Sequence, residues 1–258
     1  MPFEVVWEVD PPVEPDLARL HRQIAAVDGL ATAALAPDNP TGRASVSSLA
    51  VAHTLKTHGL PATACLNARD RNLLGFRRDL LTARYLGIDE VLLVRGDRPT
   101  AGSRAQDLSV PSMLAECRSD AGGGVRAAVT TKLRPLPSWK QAADRLFVQV
   151  TWSLDDLLRW RDTTSFAGPV VPAVLVVPST AMARRLAVRV PELAVPPAWL
   201  AAIDADPTAG FELAADLVEC IRASGAFDGV HIVGGQRFRT AADAIRTRLA
   251  ASMAAAAP

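Results

Sequence analysis

Two carboxylates stand just after short apolar runs, where a side chain can be held in place and partly shielded from water. Glu8 follows the run Phe3–Trp7, and a carboxyl in such a place can donate a proton as a general acid. It is equally consistent with a solvated carboxylate at the entrance of a loop. Asp97 follows the run Glu90–Val94 and can accept hydrogen bonds from a ligand or pair with a neighbouring arginine.

An amide and two glycines add to this set. Gln149 interrupts the apolar run Leu146–Val150, and a buried amide needs hydrogen-bond partners, so a ligand contact and a structural bond are both open. Gly234 and Gly235 follow the last apolar run and can offer N–H groups to a phosphate or simply form a turn. With no evident nucleophile–base pair, the set suits proton donation and binding of a polar heterocycle better than acyl transfer.

Short apolar runs alternate with longer amphipathic segments along the whole chain. The runs predict eight strands: Phe3–Trp7, Leu30–Leu35, Ala62–Leu66, Glu90–Val94, Val125–Val129, Leu146–Val150, Val170–Val177 and Gly229–Val233. The intervening segments predict helices at Glu14–Val27, Ala44–Thr57, Asn72–Leu86, Ser109–Arg118, Pro137–Ala143, Leu154–Arg161, in a broken region from Ala181 to Ala223, and at Thr240–Ala254. Such alternation is typical of parallel strands with right-handed crossovers.

Eight such units in 258 residues predict one domain, residues 1–258, with the α/β fold of a single (β/α)8 TIM barrel, a fold of about 250 residues. The first crossover carries no GxGxxG, which disfavours an open dinucleotide-binding sheet. In a barrel, substrates bind at the C-terminal ends of the strands. Glu8, Asp97 and Gln149 fall at those ends.

Composition and charge narrow the function classes. A net charge of +1 without long like-charge runs gives no reason to expect a nucleic-acid or membrane-surface partner. No apolar run reaches the ~20 residues of a membrane span, and no signal peptide is evident. The cysteines and histidines lack metal-ligand spacing, so we expect a cytoplasmic protein without a bound metal that binds a small molecule, with a homo-oligomer left open.

Several segments together resemble the methylenetetrahydrofolate reductase family. The sequence RDRNLLG at Arg69–Gly75 and VLLVRGDRP at Val91–Pro99 are similar to the family's RDRN segment and to its strand ending in Arg-Gly-Asp or Thr-Gly-Asp. WEVDPP at Trp7–Pro12 is similar to its amino-terminal Phe-Glu-x-x-Pro-Pro. Phe147–Gln149 and Phe227–His231 correspond to later strands. The matched order covers nearly the whole barrel.

The resemblance implies an activity and roles for particular residues. In that family a hydride passes from NADH or NADPH through FAD to 5,10-methylenetetrahydrofolate, giving 5-methyltetrahydrofolate. Glu8 would protonate N10 of the folate, Asp97 would contact the pterin near the flavin, and Gln149 would also hold the pterin. The residues implied to bind the cofactor are Asn67, Arg69, Asp70, Arg95 and Gly96.

Some positions depart from the family pattern. The family's His-Leu-Thr-Cys is Cys65-Leu66-Asn67-Ala68 here, so the flavin-side histidine is absent. Val148 replaces the threonine of the family's Ile-Thr-Gln. These changes affect the flavin side and leave the folate side intact. Weak FAD binding, direct hydride transfer from NADH, and a changed folate-linked reaction remain open, as does a non-catalytic or repurposed folate- or flavin-binding homologue that needs a partner subunit or acts on another one-carbon substrate.

Overall fold

Eight parallel strands close into a barrel in chain order, which confirms the predicted (β/α)8 fold. The computed structural model describes residues 2–119 and 123–255, so the predicted domain span 1–258 extends slightly beyond them. The strands are β1 (Glu4–Glu8), β2 (Ala33–Ala36), β3 (Ala62–Asn67), β4 (Glu90–Val94), β5 (Arg126–Thr131), β6 (Arg145–Val148), β7 (Val170–Leu175) and β8 (Gly229–Val233). Pairing of β1 with β8 completes the barrel.

Helices on the outside of the barrel connect most of the strands. They are α1 (Leu17–Val27), α2 (Ser48–Thr57), α3 (Leu73–Tyr85), α4 (Val110–Arg118), α5 (Leu154–Asp162), α6 (Thr180–Arg189), α7 (Pro197–Ala205), α8 (Ala209–Ser224) and α9 (Phe238–Ala255). The region after β7 divides into three helices, in line with the broken helical region predicted from Ala181 to Ala223. No helix of the described segments is both long and apolar enough to cross a bilayer.

The connection between β5 and β6 differs from the prediction. An α-helix was expected over Pro137–Ala143, but the structure has a short 3₁₀ helix at Ser138–Ala142. Pro135 and Pro137 precede it, and proline fixes φ and removes an N–H donor. The short connection therefore joins β5 to β6 without an α-helix.

Alternating side chains divide the core into two layers. On β1, Val5 and Trp7 pack outwards against the helices, whereas Val6 belongs to a cluster inside the barrel with Phe147. Successive strand residues point to opposite faces, so Glu8 lies on the inner face beyond Val6. The packed interior thus forms the floor beneath Glu8.

A buried group of charges lies at the opposite, N-terminal end of the strands. Arg145 donates to Glu4 over 2.8 Å, and its Nε lies 3.4 Å from Glu90. Thr63 also donates to Glu90, over 2.9 Å. Burial raises the pKa of Glu90, and the charges of Arg145 and Arg126 oppose that rise. This network stabilises the N-terminal end of the barrel. In this fold the ligand site lies at the other end, where the strands finish.

Candidate active site at the C-terminal end of the barrel

A cavity of about 750 Å³ opens where the strands end. Glu8, Asp97 and Gln149 all line it. Other side chains that matter for its chemistry are Cys65, Leu92, Lys132, Arg134, Phe147 and His231. The volume is within the ~300–1,000 Å³ usual for a small-molecule site, and the mixture of apolar walls and a few polar groups suits a flat heterocycle.

Glu8 faces a histidine from the neighbouring strand. Nε2 of His231 lies 3.1 Å from Oε2 of Glu8. The ring N–H does not point at the carboxylate oxygen, so the pair does not form an aligned hydrogen bond. The Glu8 side chain is 27% exposed and that of His231 is 9% exposed. A carboxyl at the cavity wall thus has one open side towards a ligand and one side against an imidazole.

Asp97 belongs to a loop that is tied to the loop after β2. The Thr41 N–H donates to Oδ2 of Asp97 over 2.8 Å, and the Thr100 N–H donates to the Gly42 carbonyl over 2.9 Å. Gly42 has a φ of +72°, and a Cβ there would lie 1.9 Å from the Arg98 carbonyl oxygen. The close approach of the two loops therefore places Asp97, and the carboxylate keeps its other oxygen for a ligand.

Gln149 follows the last residue of β6 and is held by its backbone. Its N–H donates to the Thr131 carbonyl over 2.7 Å. Its side-chain amide makes no hydrogen bond to the described part of the chain, yet it lines the cavity. The amide is consequently available to both donors and acceptors of a bound molecule.

Cys65 lies on the inner face of β3 in the same cavity. Burial raises the pKa of its thiol well above the usual value, and the charges of Glu8 and Asp38 raise it further. The thiol therefore keeps its proton at neutral pH. A thiol without thiolate character is a poor nucleophile, so covalent catalysis by Cys65 is disfavoured.

A second cavity, of about 540 Å³, adjoins the first. Thr130 and Lys140 line both. Arg69, Arg95 and Arg104 line the second cavity as well, and no acidic residue is among its described lining. Burial lowers the pKa of Lys140, and the Arg69 Nε is buried without a partner in the described residues. Clustered cations without carboxylates attract an anionic ligand.

Asn67 and Asp70, both implied as cofactor ligands, take part in internal hydrogen bonds. The Asn67 side chain donates to Asp38 over 2.8 Å and to Asp70 over 2.7 Å, and it accepts from the Arg69 and Asp70 N–H groups. It is 1% exposed. A Cβ at Gly96, where φ is +81°, would lie 2.8 Å from Asn67. Asn67 thus shapes the turn that carries Arg69 and packs beneath Gly96.

Asp38 is fixed by an adjacent buried arginine. Arg71 donates to Asp38 over 2.6 Å and to Asp79 over 3.1 Å. Burial lowers the pKa of Arg71, but the two carboxylates outweigh that effect and raise it above its usual value. The second arginine of the RDRN segment therefore holds the loop after β2, whereas the first, Arg69, faces the second cavity.

Sequence reasoning assigned no role to three residues that the structure brings to the cavities. His231 reaches Glu8 because β8 closes on β1, Arg104 comes from the loop after β4, and Lys140 comes from the 3₁₀ helix between β5 and β6. Position at the inner face of a predicted strand could have drawn attention to His231.

Glycine is required at position 234 for packing, since a Cβ there would lie 2.5 Å from the Trp7 ring. The described residues contain no group of three His, Cys, Asp or Glu side chains placed to hold a metal ion.

Solved structures with this fold include several that span nearly the whole chain. An uncharacterized protein from Clostridium thermocellum that binds two copies of 5-methyl-5,6,7,8-tetrahydrofolic acid has a TM-score of 0.67 and 11% identity, covering 96% of this chain and 96% of that one. EDTA monooxygenase (EmoA) from Chelativorans sp. BNC1 has a TM-score of 0.53 and 10% identity, covering 97% and 94%. Yersinia pestis DHPS with a pterine-sulfa conjugate has a TM-score of 0.53 and 13% identity, also covering 97% and 94%.

These likenesses show the fold alone. No protein-family model matches the chain, and no curated protein matches it in sequence. Because one barrel fold hosts many unrelated reactions, function has to be argued from the site.

Proposed function

We propose that this chain binds a reduced folate in the larger cavity and reduces 5,10-methylenetetrahydrofolate to 5-methyltetrahydrofolate. The hydride originates from NADH or NADPH, with FAD as its carrier. The observation that carries the proposal is the convergence of Glu8, Asp97 and Gln149 on one cavity. These are the three residues that the family resemblance assigns to the folate, and they come from different parts of the chain.

Glu8 is the proton donor in this proposal. Opening the five-membered ring of the substrate needs a proton on the leaving nitrogen, N10, so that the methylene carbon becomes an electrophilic iminium. Glu8 borders the cavity on one side while its other side is covered by protein. A positioned acid of this kind contributes about 10²- to 10⁴-fold to a rate, so Glu8 accounts for a substantial part of the catalysis.

Asp97 and Gln149 bind and orient the pterin. A pterin presents N–H donors beside a carbonyl acceptor, which match a carboxylate and a primary amide. Asp97 lies on a loop fixed by the Thr41 N–H, and Gln149 is held by its backbone bond to Thr131. The Asp97 carboxylate is therefore pre-positioned, which reduces the entropy lost on binding, and the Gln149 amide turns towards the pterin from a fixed backbone.

The cations of the second cavity fit the diphosphate of a dinucleotide cofactor. Arg69, Arg95, Arg104 and Lys140 line it without an acidic neighbour, and Gly96, next to Arg95, packs on Asn67 and lines the larger cavity. FAD, when bound, supplies a carrier that accepts a hydride from NADH or NADPH and passes it on. In this proposal Asn67 and Asp70 serve the cofactor by shaping the turn that carries Arg69.

The comparisons support a folate-type ligand. The Clostridium thermocellum protein binds 5-methyl-5,6,7,8-tetrahydrofolic acid, and the Yersinia pestis enzyme holds a pterine conjugate. Both are proteins of the same fold, so a pterin-sized ligand is compatible with a barrel of this kind. The assignment to this chain depends on Glu8, Asp97 and Gln149.

A second candidate function is a non-catalytic or repurposed folate- or flavin-binding protein. It is favoured by Asn67, which replaces a family residue near the flavin and whose side chain is occupied by Asp38 and Asp70. Such a protein would need a partner subunit or would act on another one-carbon substrate. Tight folate binding without turnover by any donor distinguishes it from the reductase.

Replacing Glu8 separates catalysis from binding. We expect Glu8→Gln to lower the rate of 5-methyltetrahydrofolate formation at least about 100-fold, while the Kd for 5-methyltetrahydrofolate changes by less than about 3-fold, since an amide fills the same space. Calorimetry gives the Kd and product analysis gives the rate. Glu14→Gln, at an exposed position outside the cavity, is the matched control. A normal rate in Glu8→Gln would remove Glu8 from the mechanism.

A further inference from the structure

His231 contacts Glu8 across the junction that closes the barrel. In the pairing of β1 with β8, His231 is opposite Val6 and Val233 is opposite Glu8. His231 and Glu8 both point inwards, and Nε2 and Oε2 are 3.1 Å apart. Rotation about the terminal bond of a glutamate is soft, so the carboxyl can turn into line with the ring N–H.

The surroundings of His231 leave its Nε2 without another partner. The residue is 7% exposed, and its ring packs edge-on against Phe147 with centroids 5.5 Å apart. Nε2 is buried and forms no aligned hydrogen bond to the described residues. Buried polar atoms are nearly always paired, so this nitrogen points to a partner that completes the site, and Glu8 is the polar group already within reach.

The proposed reaction also needs a path for protons. Reducing the methylene carbon with a hydride takes up one proton per turnover, and Glu8 is left as a carboxylate after donating its own. Ionisable groups that face the cavity are Asp38, Cys65, Asp97, Lys132, Arg134, Lys140 and His231. The burial-raised pKa of Cys65 keeps its proton bound, and Asp38 is engaged by Arg71. Among the described ion pairs, the partner of Glu8 is His231.

We propose that His231 is the positioning residue for Glu8, holding its carboxyl towards the substrate and returning a proton to it after each turnover. This rests on the proposed function for the role of Glu8. In the first step the Glu8 O–H bond breaks as N10–H forms. In the second, an N–H bond of the His231 imidazolium breaks as the Glu8 O–H forms again. The neutral imidazole then takes a proton from an acid in solution, so charge and protons balance without any redox change.

Two substitutions separate positioning from proton return. His231→Gln keeps an N–H donor near the position of Nε2 but cannot carry a proton, whereas His231→Leu removes both properties. We expect His231→Gln to keep a single-turnover rate within about 3-fold of the wild type but to lose about 10-fold in steady-state kcat above neutral pH, where proton supply is limiting. We expect His231→Leu to lose about 10-fold or more in both, with KM changed by less than about 3-fold.

A double substitution and a surface control complete the kinetic test. If His231 acts through Glu8, adding His231→Leu to Glu8→Gln slows the enzyme no further, because the effects of residues that act as a unit are not additive. His21→Leu, at an exposed position, should keep wild-type rates. Three results would each overturn the proposal. They are wild-type rates in His231→Leu, equal rate losses in His231→Leu and His231→Gln, and a double variant whose rate loss is the product of the two single losses.

A spectroscopic measurement tests the contact without depending on turnover. In protein labelled with ¹⁵N-histidine, we expect the ring N–H of His231 to be protected from exchange with water, and that protection to disappear in Glu8→Leu, which has no acceptor. Protection unchanged by Glu8→Leu overturns the contact. If protection depends on Glu8 but the wild-type chain reduces no folate, the positioning contact is upheld and the proposed function is what fails.

Discussion

At the scale of single residues, neighbouring positions of one motif divide between two tasks. In the RDRN segment, Arg69 lines the cationic cavity, whereas Arg71 is buried between Asp38 and Asp79. Asn67 just before it uses both ends of its amide inside the protein. The sequence motif therefore locates the region of the site. The hydrogen bonds within the protein determine which residue of the motif is free to bind a ligand.

Gln149 is the residue whose role is easiest to isolate, because its amide has no partner in the described chain. We expect Gln149→Leu to weaken binding of 5-methyltetrahydrofolate about 10-fold, equal to about 1.4 kcal/mol, since one neutral hydrogen bond contributes about 0.5–1.5 kcal/mol. Thermal stability should be unchanged. Calorimetry measures the Kd, and Gln141→Leu, at an exposed position that is not in the cavity lining and whose amide donates to the Ser165 carbonyl, is the control for binding. An unchanged Kd would show that Gln149 does not contact the folate.

At the scale of elements, the contact between two loops positions Asp97. The loop after β2 touches the loop after β4 so closely that Gly42 has no room for a side chain next to the Arg98 carbonyl. The same contact brings the Thr41 N–H to Asp97. The conformation of one loop is therefore coupled to the direction of a carboxylate on another.

Substituting Gly42 tests this coupling. We expect Gly42→Ala to lower the free energy of unfolding by about 1–3 kcal/mol, through a strained φ and a backbone clash, and to weaken folate binding as Asp97 is displaced. Gly59 is a matched control, because its φ is +82° but a Cβ there would contact nothing within 4 Å. Gly59→Ala should lose only the conformational part, about 1 kcal/mol, and bind folate normally. Equal effects of the two substitutions on binding would contradict the coupling.

Strands and helices were predictable where the nearby sequence alone determines them. The bounds of β4 and β8 match the prediction, because an apolar run with clear turn residues on both sides leaves little freedom. The helix expected at Pro137–Ala143 was wrong because prolines and a short connection override the helical pattern. The inward direction of Glu8 follows from strand alternation, but its contact with His231 depends on closing β8 onto β1, which no local pattern contains.

At the scale of the whole molecule, the two ends of the barrel carry different charge systems. The C-terminal end holds the open groups of the cavities, and the N-terminal end buries Glu90 with Arg145 and Glu4. The charges at the bottom are paired with one another through Arg145, whereas the cations of the second cavity at the top have no acidic residue in its described lining. Stability and ligand binding can therefore be changed separately.

The pH dependence of stability tests the buried end. The pKa of Glu90 is raised by burial from the usual 4.5, so its proton is held to higher pH in the folded chain than in the unfolded chain. Its contribution to stability is full below pH 4.5 and is lost as pH rises through the folded value. We expect the difference in Tm, wild type minus Glu90→Gln, to fall as pH rises above 4.5.

A carboxylate with the opposite shift gives the control for that measurement. A hydrogen bond from Arg77 lowers the pKa of Glu116, so its contribution is present above the usual value and lost as pH falls through the lowered one. The difference in Tm, wild type minus Glu116→Gln, should therefore rise with pH over the acidic range. If the difference in Tm between the wild type and Glu90→Gln also rises with pH, this result would contradict the effect of burial on the pKa of Glu90.

The most direct test of the proposed function is anaerobic oxidation of NADH or NADPH by the purified chain with 5,10-methylenetetrahydrofolate, with and without added FAD. The products are analysed for 5-methyltetrahydrofolate. We predict one 5-methyltetrahydrofolate for each NADH or NADPH oxidised, with the rate dependent on FAD. Product formed without FAD would retain the reductase and contradict FAD as the carrier. No 5-methyltetrahydrofolate with either donor, with or without FAD, would contradict the proposed function itself.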